Sequence, residues 1–277
     1  MNLNYLNLII LLLFSFLIGE EEFRIITIGG CVTETVFDLE MGKNVVAVDL
    51  SSKFPNQVKD LPQVGYIRAI SSEGILSMMP DLILTTTDMG PKNVVKQIKN
   101  SGVRVEILDS PKDLEGIINL IDDISDNLNV QNKGSEIKLK INNSLNELES
   151  IKKEFLKKPS MAFFMSPKAN SFNAAGSETR ANYLIEFLGG ENVFKDGFNK
   201  YKKVTKEEIL NLNPDIIFIG NIYAGEEESI FSTNDEFKEL DAVKNKKILT
   251  IDMGKYLTFG PSFVDNAIGL LTQVNVE

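Results

Sequence analysis

The sequence predicts an α/β protein of two Rossmann-like lobes, each with a mainly parallel sheet, joined by a long backbone helix. Three observations predict this fold: a helix–strand unit that occurs twice, an amphipathic segment between its two copies, and a length of 277 residues. A single core rarely grows beyond about 250–300 residues. We therefore expect a leader at residues 1–22, a first lobe at 23–130, a linking helix at 131–158 and a second lobe at 159–277.

The internal repeat compares residues 70–84, ISSEGILSMMPDLIL, with residues 204–218, VTKEEILNLNPDIIF. Each copy has a hydroxyl residue suited to cap a helix, a short amphipathic segment, Pro-Asp and an apolar run typical of a buried strand. Pro80 and Pro214 should end their helices, because proline disfavours helical backbone at the preceding residue. The repeat therefore predicts similar βαβ units in the two lobes.

The first lobe should open with a buried strand at residues 24–28 and a Gly29-Gly30 turn. Thr33 then caps a helix that runs to Met41, and a second strand follows at 45–48. After the first repeat copy we expect a helix at 91–100, a strand at 103–108 and a closing helix at 114–128.

The linking segment has apolar residues at spacings of three and four, which predicts one helix with a single apolar stripe; a coiled coil is the alternative. In the second lobe we expect a strand at 161–165 and a loop. Residues 174–177 then lead into a helix that ends at 189–190. After the second repeat copy come a helix at 235–240 and a strand at 247–251.

Residues 8–18 form an apolar run broken only by Ser15. This run is too short to cross a membrane and has the length of a signal-peptide core. The sequence predicts export to the periplasm, with cleavage near Gly19 and the folded protein starting near Phe23; an uncleaved membrane anchor is the alternative.

Composition excludes several other classes of protein. The net charge of −10 argues against a nucleic-acid partner, and Cys31, as the only cysteine, cannot form an intramolecular disulfide. The chain has no histidine, no nucleophile elbow and no phosphate-binding loop, so we expect no enzyme activity. We expect a monomer.

Residues 65–74, GYIRAISSEG, carry the candidate site. If this segment is extended, Tyr66 and Arg68 lie on the same face. A nearby cation favours a phenolate, and a phenolate is a good ligand for ferric iron. The alternative is a loop tyrosine beside a surface arginine.

Residues 64–76 resemble a segment of the periplasmic haemin-binding proteins, which are the substrate-binding components of bacterial haem ABC importers. Residues 24–34 are similar to the first strand and turn of that family, and 174–179 and 259–261 to its second-lobe motifs. The resemblance covers nearly all of the chain after the leader. It implies that haem binds between the lobes, that Tyr66 is the axial iron ligand, and that the protein delivers haem to a permease dimer.

The resemblance also implies roles for other residues. Glu73 and Glu207 occupy equivalent repeat positions and would dock the lobes onto the permease, unless they serve only the helix dipole. Lys168 and Arg180 would pair with haem propionates, or be plain surface charges.

Some relatives have a histidine near Pro167 as a second iron ligand, and this chain has none. Haem would then be five-coordinate through Tyr66, or take a weak sixth ligand such as water or Met165, which otherwise packs in the core. Cys31 is another candidate ligand if a helix N-terminus lowers its pKa, and otherwise a small packed residue. Alternative cargoes for the same type of binding protein are a ferric siderophore or a corrinoid; an α/β enzyme has the least support.

Overall fold

The computed structural model describes residues 23–153, 155–168, 171–221 and 230–275. The predicted leader lies outside these residues. Within them, no helix combines the length and the apolar character that a membrane crossing requires.

The first lobe has a four-stranded sheet in the order β2-β1-β5-β6, in which every neighbouring pair is parallel. A separate antiparallel hairpin, β3-β4, lies beside it. The elements of this lobe are β1 (Ile25–Ile28), α1 (Gly30–Asp38), β2 (Val45–Val48), β3 (Gly65–Tyr66), β4 (Ala69–Ile70), α2 (Ser72–Leu76), β5 (Leu82–Thr86), α3 (Lys92–Asn100), β6 (Arg104–Leu108) and α4 (Leu114–Asn127).

The linking helix α5 (Gln131–Lys152) follows, and the second lobe begins eight residues after it. The elements of the second lobe are β7 (Ser160–Met165), β8 (Phe172–Ala175), α6 (Arg180–Phe187), β9 (Glu191–Asn192), β10 (Tyr201–Val204), α7 (Lys206–Leu212), β11 (Ile216–Asn221), α8 (Ile230–Thr233), α9 (Asp241–Lys244), β12 (Ile248–Asp252), α10 (Met253–Tyr256) and α11 (Phe263–Asn275). The strand order is β10-β8-β7-β11-β12, with β9 beside β7. This sheet is mixed, because β8 runs antiparallel to β7 and β10.

Both repeat copies fold as predicted, into α2 followed by β5 and α7 followed by β11. The caps differ. Thr205 accepts a bond from the Glu208 backbone N–H at 3.2 Å, and the Glu208 carboxylate accepts one from the Thr205 N–H at 2.7 Å, which is a complete capping box. Ser71 occupies the matching position, but its side chain makes no cap bond.

Three local predictions were wrong. Thr33 does not cap α1, which already starts at Gly30; its hydroxyl bonds the hydroxyls of Thr27 at 2.8 Å and Ser52 at 2.7 Å. Residues 174–175, which were expected to lead directly into a helix, belong to strand β8, because they pair with β10. The helix expected at 235–240 is a 3₁₀ turn, Asp235–Phe237, followed by the separate helix α9.

One hydrophobic core runs through both lobes and the linking helix. Val36 and Ile121 contribute to it from the first lobe, Ile137 from α5, and Phe163 and Phe263 from the second lobe. Fully burying a side chain of this size contributes about 1.5–3 kcal/mol. The linking helix therefore packs its apolar stripe into the core of both lobes as well as connecting them.

Candidate ligand-binding cleft

Tyr66 lies at the end of a small hairpin whose two-residue turn is Ile67-Arg68. Gly65 has a φ of +109°, a backbone conformation that favours glycine. Ile67 is buried, and its carbonyl accepts a bond from the Gly90 N–H at 2.9 Å. The buried Ile67 and this hydrogen bond hold the turn in place, while the Tyr66 side chain stays 48% exposed.

This hairpin corrects one prediction. Residues 66–68 are not a single extended strand, because the chain reverses at residues 67–68. The alternation argument that put Tyr66 and Arg68 on one face therefore does not apply. Both residues nevertheless line the same cleft.

The cleft has a volume of about 170 Å³ and receives residues from both lobes. Its first-lobe walls come from the β1–α1 turn, the β3-β4 hairpin and the loops after β2, β5 and β6; Arg180 and Thr258 come from the second lobe. The lining residues are Gly29, Gly30, Cys31, Ser51, Tyr66, Ile67, Arg68, Thr86, Asp88, Ser110, Arg180 and Thr258.

Arg180 spans the two lobes from the start of α6. Its guanidinium donates to the Ser110 hydroxyl at 2.8 Å and to the Pro111 carbonyl at 3.1 Å in the first lobe. It also donates to the Leu257 carbonyl at 3.1 Å and lies 5.4 Å from the centre of the Phe259 ring. Arg180 is therefore a bound cleft residue, and the description of it as a plain surface charge is wrong.

Asp88 stands between the two cleft arginines. One carboxylate oxygen lies 3.6 Å from Arg68 and the other 3.8 Å from Arg180. The Ser110 hydroxyl donates to the second oxygen at 2.6 Å. The guanidinium of Arg68 therefore pairs with this carboxylate, and among the described residues it makes no hydrogen bond to the Tyr66 phenol.

The Asp49 carboxylate links two loops whose residues line the cleft. It is fully buried, and its carboxylate accepts bonds from the Gly29 N–H at 2.8 Å, the Ser51 N–H at 2.9 Å and the Ser52 hydroxyl at 2.6 Å. These bonds join the turn after β1 to the loop after β2. A buried carboxylate with several donors holds such loops together.

Cys31 lines the cleft, but its predicted chemistry is not supported. Burial raises the pKa of its thiol to about 12, opposed by the weaker effect of Arg180. The expectation of a low pKa at the helix N-terminus was wrong, because burial disfavours the thiolate, and Cys31 instead has its alternative role as a small packed residue of the core.

The other predicted ligands lie elsewhere. Lys168 is exposed on the turn between β7 and β8, where its backbone pairs with Ser171, and it does not line the cleft. Met165 is partly buried against the core shared by the lobes, as its alternative role predicted.

Glu73 and Glu207 are exposed in the first turns of α2 and α7. Within the described residues, neither side chain takes part in an ion pair or a capping bond. Their equivalent places in the two lobes follow from the repeat.

Sequence reasoning missed Asp49, Asp88 and Ser110. All three follow the carboxyl ends of strands in the parallel sheet: β2, β5 and β6. Carboxyl ends of parallel strands meet at one edge, where α/β proteins commonly bind ligands. That rule, applied to the predicted strands, could have identified these residues.

Two α/β lobes, a shared linking helix and a polar cleft lined from both sides define a two-lobed substrate-binding protein. The chain belongs to the periplasmic binding protein family, whose model matches residues 25–253. It is thus a binding protein of the ABC-importer type, a class that carries ligands rather than catalysing reactions.

Among solved structures, the chain is similar to the periplasmic heme-binding protein BhuT in complex with two hemes. The two are 27% identical with a TM-score of 0.83, over 91% of this chain and 97% of that one. It is also similar to the periplasmic heme-binding protein HutB of Vibrio cholerae, at 25% identity and a TM-score of 0.81, over 92% and 100% of the two chains.

Among curated proteins, the chain is 24% identical to a vitamin B12-binding protein of Vibrio campbellii, over 74% of this chain and 72% of that protein. It is 23% identical to the ABC transporter substrate-binding lipoprotein YvrC of Bacillus subtilis, over 90% and 78%. These relatives and the solved structures agree on the class and differ in the ligand that they name.

Proposed function

We propose that this protein captures haem outside the inner membrane and delivers it to the permease of an ABC importer. The observation that carries the proposal is the exposed Tyr66 phenol, which lines a cleft with Arg68 and Arg180 in a chain without histidine. The heme-binding proteins to which the fold is similar support it.

The donor set fits ferric haem. A phenolate is a hard, anionic oxygen ligand, and Tyr66 is the only tyrosine among the described residues of the cleft lining. Guanidinium groups bind carboxylates through charge-assisted hydrogen bonds, so Arg68 and Arg180 suit the two propionates. Arg68 is the more available partner, because its side chain is 67% exposed. Lys168 would have to reach the cargo from the rim of the second lobe.

A corrinoid is the second candidate cargo, because several curated relatives are named as vitamin B12-binding proteins. Cobalamin carries amides where haem carries free carboxylates. The two cleft arginines therefore favour haem. A ferric siderophore is a third possibility, for which no comparison gives specific support.

Hemin titration of the purified protein tests the proposal. We expect wild-type protein to bind hemin with a ferric tyrosinate absorbance spectrum, and Tyr66→Phe to lose that spectrum and at least about tenfold in affinity, since one coordinate bond is removed. Tyr256→Phe, which removes a buried phenol outside the cleft lining, is the matched control.

A Tyr66→Phe protein with unchanged spectrum and affinity would exclude this ligand. Wild-type protein that binds cyanocobalamin and not hemin would refute the haem proposal.

The delivery step requires a permease dimer, and we propose that Glu73 and Glu207 dock one lobe each onto it. We further propose a periplasmic monomer exported by its leader. Haem is then cargo, carried between membranes without chemical change.

A further inference from the structure

We propose that Asp88 sets the affinity and selectivity of the cleft for cargo with free carboxylates. It does so by competing with those carboxylates for Arg68 and Arg180. The inference rests on the proposed function, and it names the chemical group that the cleft selects.

The geometry places Asp88 where a cargo carboxylate would otherwise bind. Its two oxygens face arginines of different lobes, at 3.6 Å from Arg68 and 3.8 Å from Arg180. Both distances exceed a hydrogen-bond distance, so these are ion pairs. Among the described residues the Arg68 guanidinium donates no hydrogen bond, whereas Arg180 already gives three of its five N–H groups to Ser110, Pro111 and Leu257 and keeps the remainder. A cargo carboxylate can therefore approach the same arginines.

The position of Asp88 is held by its own loop and by the neighbouring loop after β6. The Ser110 hydroxyl donates to its carboxylate at 2.6 Å, and the Met89 N–H donates to the Thr86 carbonyl at 3.0 Å just after it. The Ser110 bond therefore opposes rotation of the carboxylate away from the arginines when an anion arrives.

The charge balance of the cleft gives the direction of the effect. Among the described residues, its lining carries two arginines and one aspartate, so Asp88 offsets half of the positive charge that these residues supply. Each cargo carboxylate is attracted by the arginines and repelled by Asp88. The side chain of Asp88 is 38% exposed, and solvent therefore weakens the repulsion without removing it.

Asp88→Asn tests the inference, because asparagine keeps the shape and can still accept the Ser110 bond. We expect the variant to bind hemin about three- to tenfold more tightly at low salt, with the gain shrinking as salt rises. Hemin dimethyl ester has the same ring and iron without free carboxylates, and its affinity should not change.

Glu106→Gln is the matched control. Glu106 forms an ion pair with Arg104 of the first lobe at 2.9 Å, and it lies outside the cleft lining. The substitution therefore also removes one negative charge beside an arginine. We expect its hemin affinity to equal that of wild type.

Three results would overturn the inference. Asp88→Asn could bind hemin no better than wild type, or more weakly, which would make Asp88 a residue that only positions the arginines. An equal gain with the dimethyl ester would show that carboxylates are not involved. If wild-type protein itself binds cyanocobalamin and not hemin, the proposed function fails together with the inference. This third result can be told apart from the first two, because it is seen in the wild-type protein before any substitution is made.

Discussion

Glu34 is a carboxylic acid buried where the two lobes meet. It is 9% exposed, and it accepts a bond from the Ser262 N–H of the second lobe at 2.7 Å. A β-carbon at Gly260 would lie only 2.3 Å from the carboxylate, so a larger residue there would have to displace the Glu34 side chain. Burial raises the pKa of Glu34, against the smaller effect of the Ser262 hydrogen bonds.

This raised pKa predicts a pH-dependent stability. A carboxyl whose folded pKa exceeds its unfolded value of about 4.3 contributes stability that is present below that value and lost as pH rises through the folded pKa. Glu34→Gln cannot lose a proton there. We expect its free energy of unfolding, relative to wild type, to rise as the pH increases above the unfolded value of about 4.3.

Urea denaturation at a series of pH values measures this difference. Glu73→Gln, at an exposed position, is the control and should run parallel to wild type. A Glu34→Gln curve parallel to wild type would contradict the buried, proton-sensitive role.

At this same scale the sequence predicted part of the site. Tyr66 and Arg68 were named from their spacing and from the resemblance, Arg180 from the haem that the resemblance implies, and the structure brings all three into one cleft. Asp88 was missed because its role depends on the side chains opposite it. Arg180 lies 92 residues further along the chain, and no local pattern encodes that approach.

At the scale of elements, α2 and α7 present matched carboxylates. Each follows an extended residue, and each carries its exposed glutamate, Glu73 or Glu207, in the first turn. In α7 it is Glu208 that forms the capping box. Glu207 is therefore not needed for the cap, which removes one of the structural explanations for that residue.

Reversing both charges tests the docking proposal. We expect Glu73→Lys with Glu207→Lys to abolish haem uptake by cells and leave hemin affinity unchanged, because the residues lie outside the cleft lining. The helix-dipole effect would cost only about 0.3–1 kcal/mol per site.

Glu115→Lys with Glu186→Lys is the matched control, since it reverses one exposed helix carboxylate in each lobe. Uptake that survives the Glu73 and Glu207 reversals would limit those residues to a role within their own helices.

The elements also show where sequence patterns succeed. The repeat predicted α2, β5, α7 and β11. Each copy of the repeat combines an amphipathic period, a proline that ends the helix and an apolar run that forms the strand. β8 was missed because Ala174 and Ala175 are small residues whose strand pairing with β10 depends on a distant segment. Helix propensity and apolar period contain no information about such a partner.

At the scale of the whole molecule, export of the chain remains a prediction. We expect N-terminal sequencing of protein from the periplasm to begin near residue 20, close to the first residue of the described fold, Phe23. Replacing two leucines of the apolar run at residues 8–18 with arginine should retain the chain in the cytoplasm, because a charged core is not recognised as a signal. A mature protein that keeps Met1 would contradict cleavage.

The two-lobe architecture was predicted. The linking helix begins at Gln131 as predicted but ends at Lys152, six residues before the predicted end at 158. What composition and period could not predict is that α5 shares one core with both lobes. Its stripe of apolar residues is visible in the sequence, but a stripe does not say how many partners cover it.

That shared core limits how such proteins can be recombined. Ile137, Ile141 and Leu148 of α5 are buried in the same cluster as residues of both lobes. A chimaera that exchanged one lobe with a relative, and left α5 behind, would place half of this helix against side chains that were never matched to it. In this architecture the unit that can be exchanged is therefore the entire binding protein, and new cargo specificity is better sought by substitution at the rim of the cleft.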